Sequence, residues 1–176
     1  MKRLFIITVM LMFSKSAFSG YKISANEIMQ MPPFCKGLSI QNFEDNAKKF
    51  KKNIKMPGQH TQHFCHGMKA MLRKKYSTAA QEFRYVQSHS TKKHSLIPAT
   101  SLYKADALSE LGEEKKALSE YNKAIRLRKD YTKAYSKLSD YYLKLQKKEM
   151  ALKTIKLGLK YSPNSKALKK RLHRLQ

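Results

Sequence analysis

Two stretches of this 176-residue chain are copies of one unit, thirty-four residues apart. The run GEEKKAL at 112–118 lies thirty-four residues before QKKEMAL at 146–152. On the same offset Leu111 falls on Leu145, Asp106 on Asp140, Tyr121 on Ile155 and Ala124 on Gly158. A period in this range marks an array of small supersecondary units, none of which buries its apolar face alone. Stacked units present an extended surface to other molecules rather than a catalytic cleft. Partner binding is therefore the first expectation, ahead of any reaction.

Within each copy the apolar residues recur at spacings of three and four, the helical pattern. Leu102, Ala105, Leu108 and Leu111 mark one buried side of a helix expected from about residue 99 to 111, ended by Gly112, which tolerates positive φ. A partner helix, from about residue 115 to 128, should bury Ala117, Leu118, Tyr121, Ala124 and Ile125. Ala117 and Ala124 are small where two helices must approach closely. The next copy repeats this with Tyr135, Leu138, Tyr142 and Leu145, then Ala151, Leu152, Ile155 and Leu159. A divergent unit precedes both: Gly67, Ala70, Tyr76, Ala79, Phe83 and Val86 alternate small and large residues along two expected helices. Ala79 to Ala117 is thirty-eight residues, four more than the period, and the polar stretch 88–94 accommodates the surplus as a longer loop. Pro98 then fits the first turn of the next helix.

The segments outside the repeats read differently. Lys2 and Arg3, a ten-residue apolar run at 4–13 and the small-x-small exit Ala17, Phe18, Ser19 predict a signal peptide over 1–19 and an exported, periplasmic or secreted protein. Its removal takes Lys2, Arg3 and Lys15 from the 37 basic residues and nothing from the 12 acids, leaving about +22. Residues 20–58 are expected to form an N-terminal cap. Ser24 would open a short helix that places Met29 and Met31 on the first repeat, and 42–55 has the look of an amphipathic helix. Two cysteines in an oxidising compartment predict a Cys35–Cys65 disulfide, stabilising by roughly 3–4 kcal/mol on the chain-entropy model. At the other end a helix from about Ser165 carries Ala167, Leu168, Leu172 and Leu175 on one face among lysines and arginines, a capping helix over 164–176.

The pattern Leu-Gly-x4-Ala-Leu-x2-Tyr-x2-Ala at 111–124 resembles the tetratricopeptide-repeat family. That resemblance implies an all-α short right-handed solenoid over 59–163, with units at about 61–92, 100–133 and 134–163. It also implies a concave face that binds peptides or proteins, and no reaction. Gln146 stands where the family has glycine, Gly158 where it has alanine, and Lys129 where it has proline, which Pro163 keeps. The MPPFC (31–35) and HFCHG (63–67) elements resemble exported bacterial repeat proteins with a cysteine-bearing N-terminal extension.

For chemistry the chain offers one cluster, His60, His63, Cys65 and His66, whose ligand types suit zinc or copper, although a cysteine in a disulfide cannot ligate. The metal candidates are therefore His60, His63 and His66. No phosphate loop, nucleophile elbow or His-Glu-x-x-His run occurs, so neither an enzyme nor a cofactor is expected. The expected partner surface is Lys104, Asp106, Lys133, Lys137, Asp140 and Lys144, on the first helices of the second and third units, with Tyr103, Tyr135 and Tyr141 turned toward a groove and Tyr121 and Tyr142 in the core. Its partner would be an acidic envelope protein or peptide. The positive charge also suits an anionic polysaccharide or lipid headgroups, whereas export argues against nucleic acid.

Overall fold

The computed structural model describes residues 24–39, 57–91 and 93–176. The expected signal peptide at 1–19 and the amphipathic stretch at 42–55 lie outside them. The described residues form α1 (Ala25–Gln30), α2 (Pro33–Ser39), α3 (Thr61–Leu72), α4 (Tyr76–His89), α5 (Ile97–Glu110), α6 (Glu114–Leu127), α7 (Thr132–Lys144), α8 (Lys148–Tyr161) and α9 (Lys166–Leu175). Helices α3–α4, α5–α6 and α7–α8 are successive hairpins of one all-helical stack.

Each hairpin turns on the same backbone device. Lys74, Gly112 and Gln146 adopt φ of 56°, 75° and 59°. The residue after each donates its N–H back across the helix end: Lys75 N to Ala70 O at 2.8 Å, Glu113 N to Leu108 O at 3.0 Å, and Lys147 N to Tyr142 O at 2.8 Å. Such six-to-one bonds with a left-handed residue close a helix and satisfy its last carbonyls. Five residues beyond each turn stands a fully buried alanine, Ala79, Ala117 or Ala151. Four residues later come the large core side chains Phe83, Tyr121 and Ile155. The expected role of Gly112 holds, and the same turn recurs where side chains hide it.

Several boundaries move. Helix α4 continues through His89, so the long connection falls at 90–96 rather than at 88–94, and α5 begins at Ile97 with Pro98 in its first turn. Leu111, expected on the buried side of α5, is 42% exposed. A step of three residues falls about 60° short of a full turn, so the fourth position of a three-spaced row has rotated to the far side.

Close packing explains two glycines. A Cβ on Gly67 would lie 2.6 Å from the Phe83 ring, and one on Gly158 would lie 2.8 Å from Tyr135 Cγ and 2.9 Å from Leu168 Cδ1. The departure from alanine at Gly158 is thus a consequence of the tyrosine and leucine that close over it.

The two ends are sealed by different means. Ser24 and Glu27 form a capping box on α1, and the Glu27 carboxylate also accepts from Arg73 Nη2 at 2.9 Å. The Arg73 guanidinium and the Ser24 backbone N–H hold that carboxyl down at about 2. Cys35 on α2 is bonded to Cys65 on α3, with Cα atoms 5.5 Å apart. Met31 is buried against this cap, but Met29 is 76% exposed, because side chains two apart cannot share a helix face. At the far end Ser165 caps α9. On the thirty-four-residue offset Leu168, Leu172 and Leu175 fall on Ala134, Leu138 and Tyr141, so α9 packs as the first helix of a further hairpin that has no second helix among the described residues. Ala167, expected on its buried face, is exposed.

Candidate functional site

The first helices α3, α5 and α7 each touch the next across the stack, as α7 does α9, which places them on its inner side. A cavity of about 300 Å³ opens there, lined by Tyr76, Asp106, Glu110, Lys137, Asp140 and Lys144 among others. Its charged groups pair from one unit to the next. Lys137 Nζ lies 3.0 Å from Asp106 Oδ2, and Lys144 Nζ 3.2 Å from Glu110 Oε1. Arg171 of α9 pairs with Asp140. Asp106 and Asp140 are thirty-four residues apart, and so are Lys137 and Arg171, so one ion pair is built twice. The Tyr121 hydroxyl donates to Asp106 Oδ1 at 2.6 Å, and burial together with the Asp106 charge pushes its pKa up.

Of the residues singled out from the sequence, Asp106, Lys137, Asp140 and Lys144 converge on this cavity. Lys133 lies on Tyr103, donating to its hydroxyl at 2.6 Å with the ammonium 4.9 Å from the ring centre. Lys104 does not join them. It is at the offset equivalent of buried Leu138 and faces the second helices, where it donates to Glu120 of α6 at 2.9 Å and Gln87 of α4 at 2.8 Å. Tyr141 lines the cavity, whereas Tyr103 packs against the Phe64 and Phe83 rings, and Tyr135 is fully buried, its hydroxyl donating to the Lys129 carbonyl at 2.9 Å. Tyr121 is in the core as expected, and Tyr142 packs partly buried against it. Glu110 and Glu120 were missed. Glu110 stands opposite Lys144 on the repeat offset, a charge complement that could have been read; nothing local in the sequence marks Glu120.

A second cluster lies on the first hairpin. Because α3 begins at Thr61, His63 and His66 share one face of it. Between them Cys65 is consumed in the disulfide. Facing both is Glu82 of α4, its Oε2 2.8 Å from His63 Nδ1 and its Oε1 4.0 Å from His66 Nδ1. Burial lowers the His66 pKa although Glu82 opposes the shift. Tyr85 stacks on His63 at 3.9 Å and on His89 at 3.9 Å, with His60 edge-on at 5.5 Å. Among the described residues, the donor atoms of His63, His66 and Glu82 all lie within 4.8 Å of one another. Glu82 rather than His60 completes this set.

Comparison with known proteins bears on the repeats. The tetratricopeptide-repeat family profile matches residues 104–131 and 132–165. The first tetratricopeptide repeat of Spaghetti (RPAP3), solved bound to the HSP90 peptide SRMEEVD, is 26% identical with a TM-score of 0.56, covering 66% of this chain and 92% of that one. The first such domain of human RPAP3, determined by NMR, is also 26% identical, with a TM-score of 0.55 over 68% and 91%. No curated protein matches the chain significantly. The fold is that of tetratricopeptide-like helical repeats.

Proposed function

We propose that this chain is a non-enzymatic scaffold that binds an extended segment of a partner protein along the inner face of α3, α5 and α7. The observation carrying this reading is the cavity between Tyr76, Asp106, Lys137 and Lys144, on a fold whose solved relative holds a peptide. Rigid first helices present side chains at a fixed period, which suits an extended peptide of repeating geometry. The partner is an exported envelope protein, in keeping with the signal-like segment at 1–19, and it is acidic. The charge of about +22 that remains without residues 1–19 draws an acidic chain from a distance, and the exposed heads of Lys133, Lys137 and Lys144 exchange their internal partners for its carboxylates. Crosslinking in cells that make the protein, followed by identification of what is captured, tests this. The double variant Lys133→Glu with Lys137→Glu is expected to lose the captured partner, and unchanged recovery would sink the reading.

A second reading has its own observation. Residues 148–176 hold nine lysines and arginines against the single acid Glu149, and Lys153, Lys156, Lys160, Lys169, Lys170 and Arg174 are all exposed. That end of the stack would adhere to an anionic polymer or lipid headgroups. Retention on heparin that vanishes at moderate salt, with no protein captured, favours it.

A further inference from the structure

We propose that His63, His66 and Glu82 form a binding site for a divalent first-row transition ion, with zinc the ion that fits best. Two imidazoles and one carboxylate are a ligand set that zinc accepts while leaving a fourth position for water or an outside ligand. The set is assembled from two helices: α3 supplies both histidines, three residues apart, and α4 supplies the carboxylate. The Nδ1 atoms of both rings face the two oxygens of that one carboxylate. Donors bound about 2.0–2.1 Å from a tetrahedral ion stand roughly 3.3 Å apart. His63 and Glu82 are already closer than that, at 2.8 Å, and His66 at 4.0 Å needs only a side-chain adjustment. The ion takes the place of the hydrogen that His63 and Glu82 share.

The surroundings hold the donors in place. Cys65, between the two histidines, is fully buried and tied to Cys35. Gly67 brings α3 so close to Phe83 that a Cβ would collide with it, which fixes the distance between the two helices. Tyr85 stacks on the His63 ring, setting its orientation as an outer layer does in metal sites generally. The side chains of His63, His66 and Glu82 are 25%, 35% and 24% exposed, open enough for an ion to enter. Lys69, whose charge is felt at His66, opposes a cation, so the affinity has to come from the ligands themselves. None of the three donors lines the groove cavity, and the site stands independently of the peptide-binding reading. A bound ion would fasten α3 to α4 in the hairpin that departs furthest from the repeat pattern.

The test is isothermal titration of zinc into the full chain without an affinity tag, with thermal melting in parallel. One equivalent is expected to bind and to raise the melting temperature, since an ion that binds only the folded chain stabilises it. Glu82→Gln, His63→Gln and His66→Gln should each weaken binding by roughly tenfold or more, the scale on which even outer-layer losses act. His60→Gln and His89→Gln should bind as the parent does. Melting of each variant without zinc separates a lost ligand from a lost fold. No saturable uptake by the parent overturns the proposal, and so does uptake that survives Glu82→Gln but falls in His60→Gln or His89→Gln.

Discussion

In the hairpin α3–α4 the left-handed turn residue is Lys74, and in α7–α8 it is Gln146, with the same six-to-one hydrogen bond behind each. Around that shared backbone the two hairpins are held by different chemistry. The first is braced by a disulfide and by a run of rings, Phe34 on Phe64 at 5.9 Å, Phe64 on Phe83 at 5.7 Å and Phe83 on Tyr103 at 6.1 Å. The third buries Tyr135 and Ile155 in a separate cluster that α9 closes with Leu168. The family profile matches the third and passes over the first. Backbone geometry therefore persists where the side-chain pattern has drifted, with the turn and the buried alanine common to both hairpins.

Removing the bridge should produce the largest difference between the two. Cys35→Ala with Cys65→Ala is expected to cost about 3–4 kcal/mol of stability. Hydrogen exchange should show protection lost in α3–α4 well before α7–α8. Uniform loss across the stack would mean that the hairpins unfold as one unit and that the bridge is not local in effect.

A smaller effect is expected where the layers between hairpins differ. Lys104 with Glu120 and Gln87 stands between the first two hairpins, at the offset equivalent of Leu138. Lys104→Leu alone should cost about 2 kcal/mol by stranding a carboxylate that is 14% exposed. Lys104→Leu with Glu120→Leu should return to within about 1 kcal/mol of the parent, or exceed it. Denaturant melts decide this: a double variant as unstable as the single would show that the polar layer is irreplaceable.

The smallest effects belong to the turns themselves. Lys74→Gly and Gln146→Gly should each stabilise by about 0.5–1 kcal/mol, since a side chain at positive φ is strained and glycine is not. Gly112→Ala should destabilise by about 1 kcal/mol for the same reason. If Lys74→Gly lowers the melting temperature, the first turn is not equivalent to the other two.

How far the sequence could be read follows from what each feature depends on. The thirty-four-residue offset gave the hairpins, Gly112 gave a turn, and Ala79 carried the period back across a four-residue surplus. Each of these depends on residues close together in the chain. Met29, Leu111 and Ala167 were misplaced because short helices and helix ends expose positions that a spacing rule assigns to the core. Lys104 and Tyr135 were placed on the binding face because their residue types suit one, and only contact with α4, α6 and the Lys129 carbonyl reassigns them. Glu82 was invisible beside the histidines, being sixteen residues from the nearer of them and joined to them only across a hairpin.

By itself the sequence determined the period, the helical hairpins and the cysteine pair, because these follow from local propensity and from counting. The tertiary structure decided which charges cancel and which side chains meet. Lys137 finds Asp106, Arg171 finds Asp140, and Glu82 finds two histidines, because stacking brings together residues that the period leaves far apart in the chain.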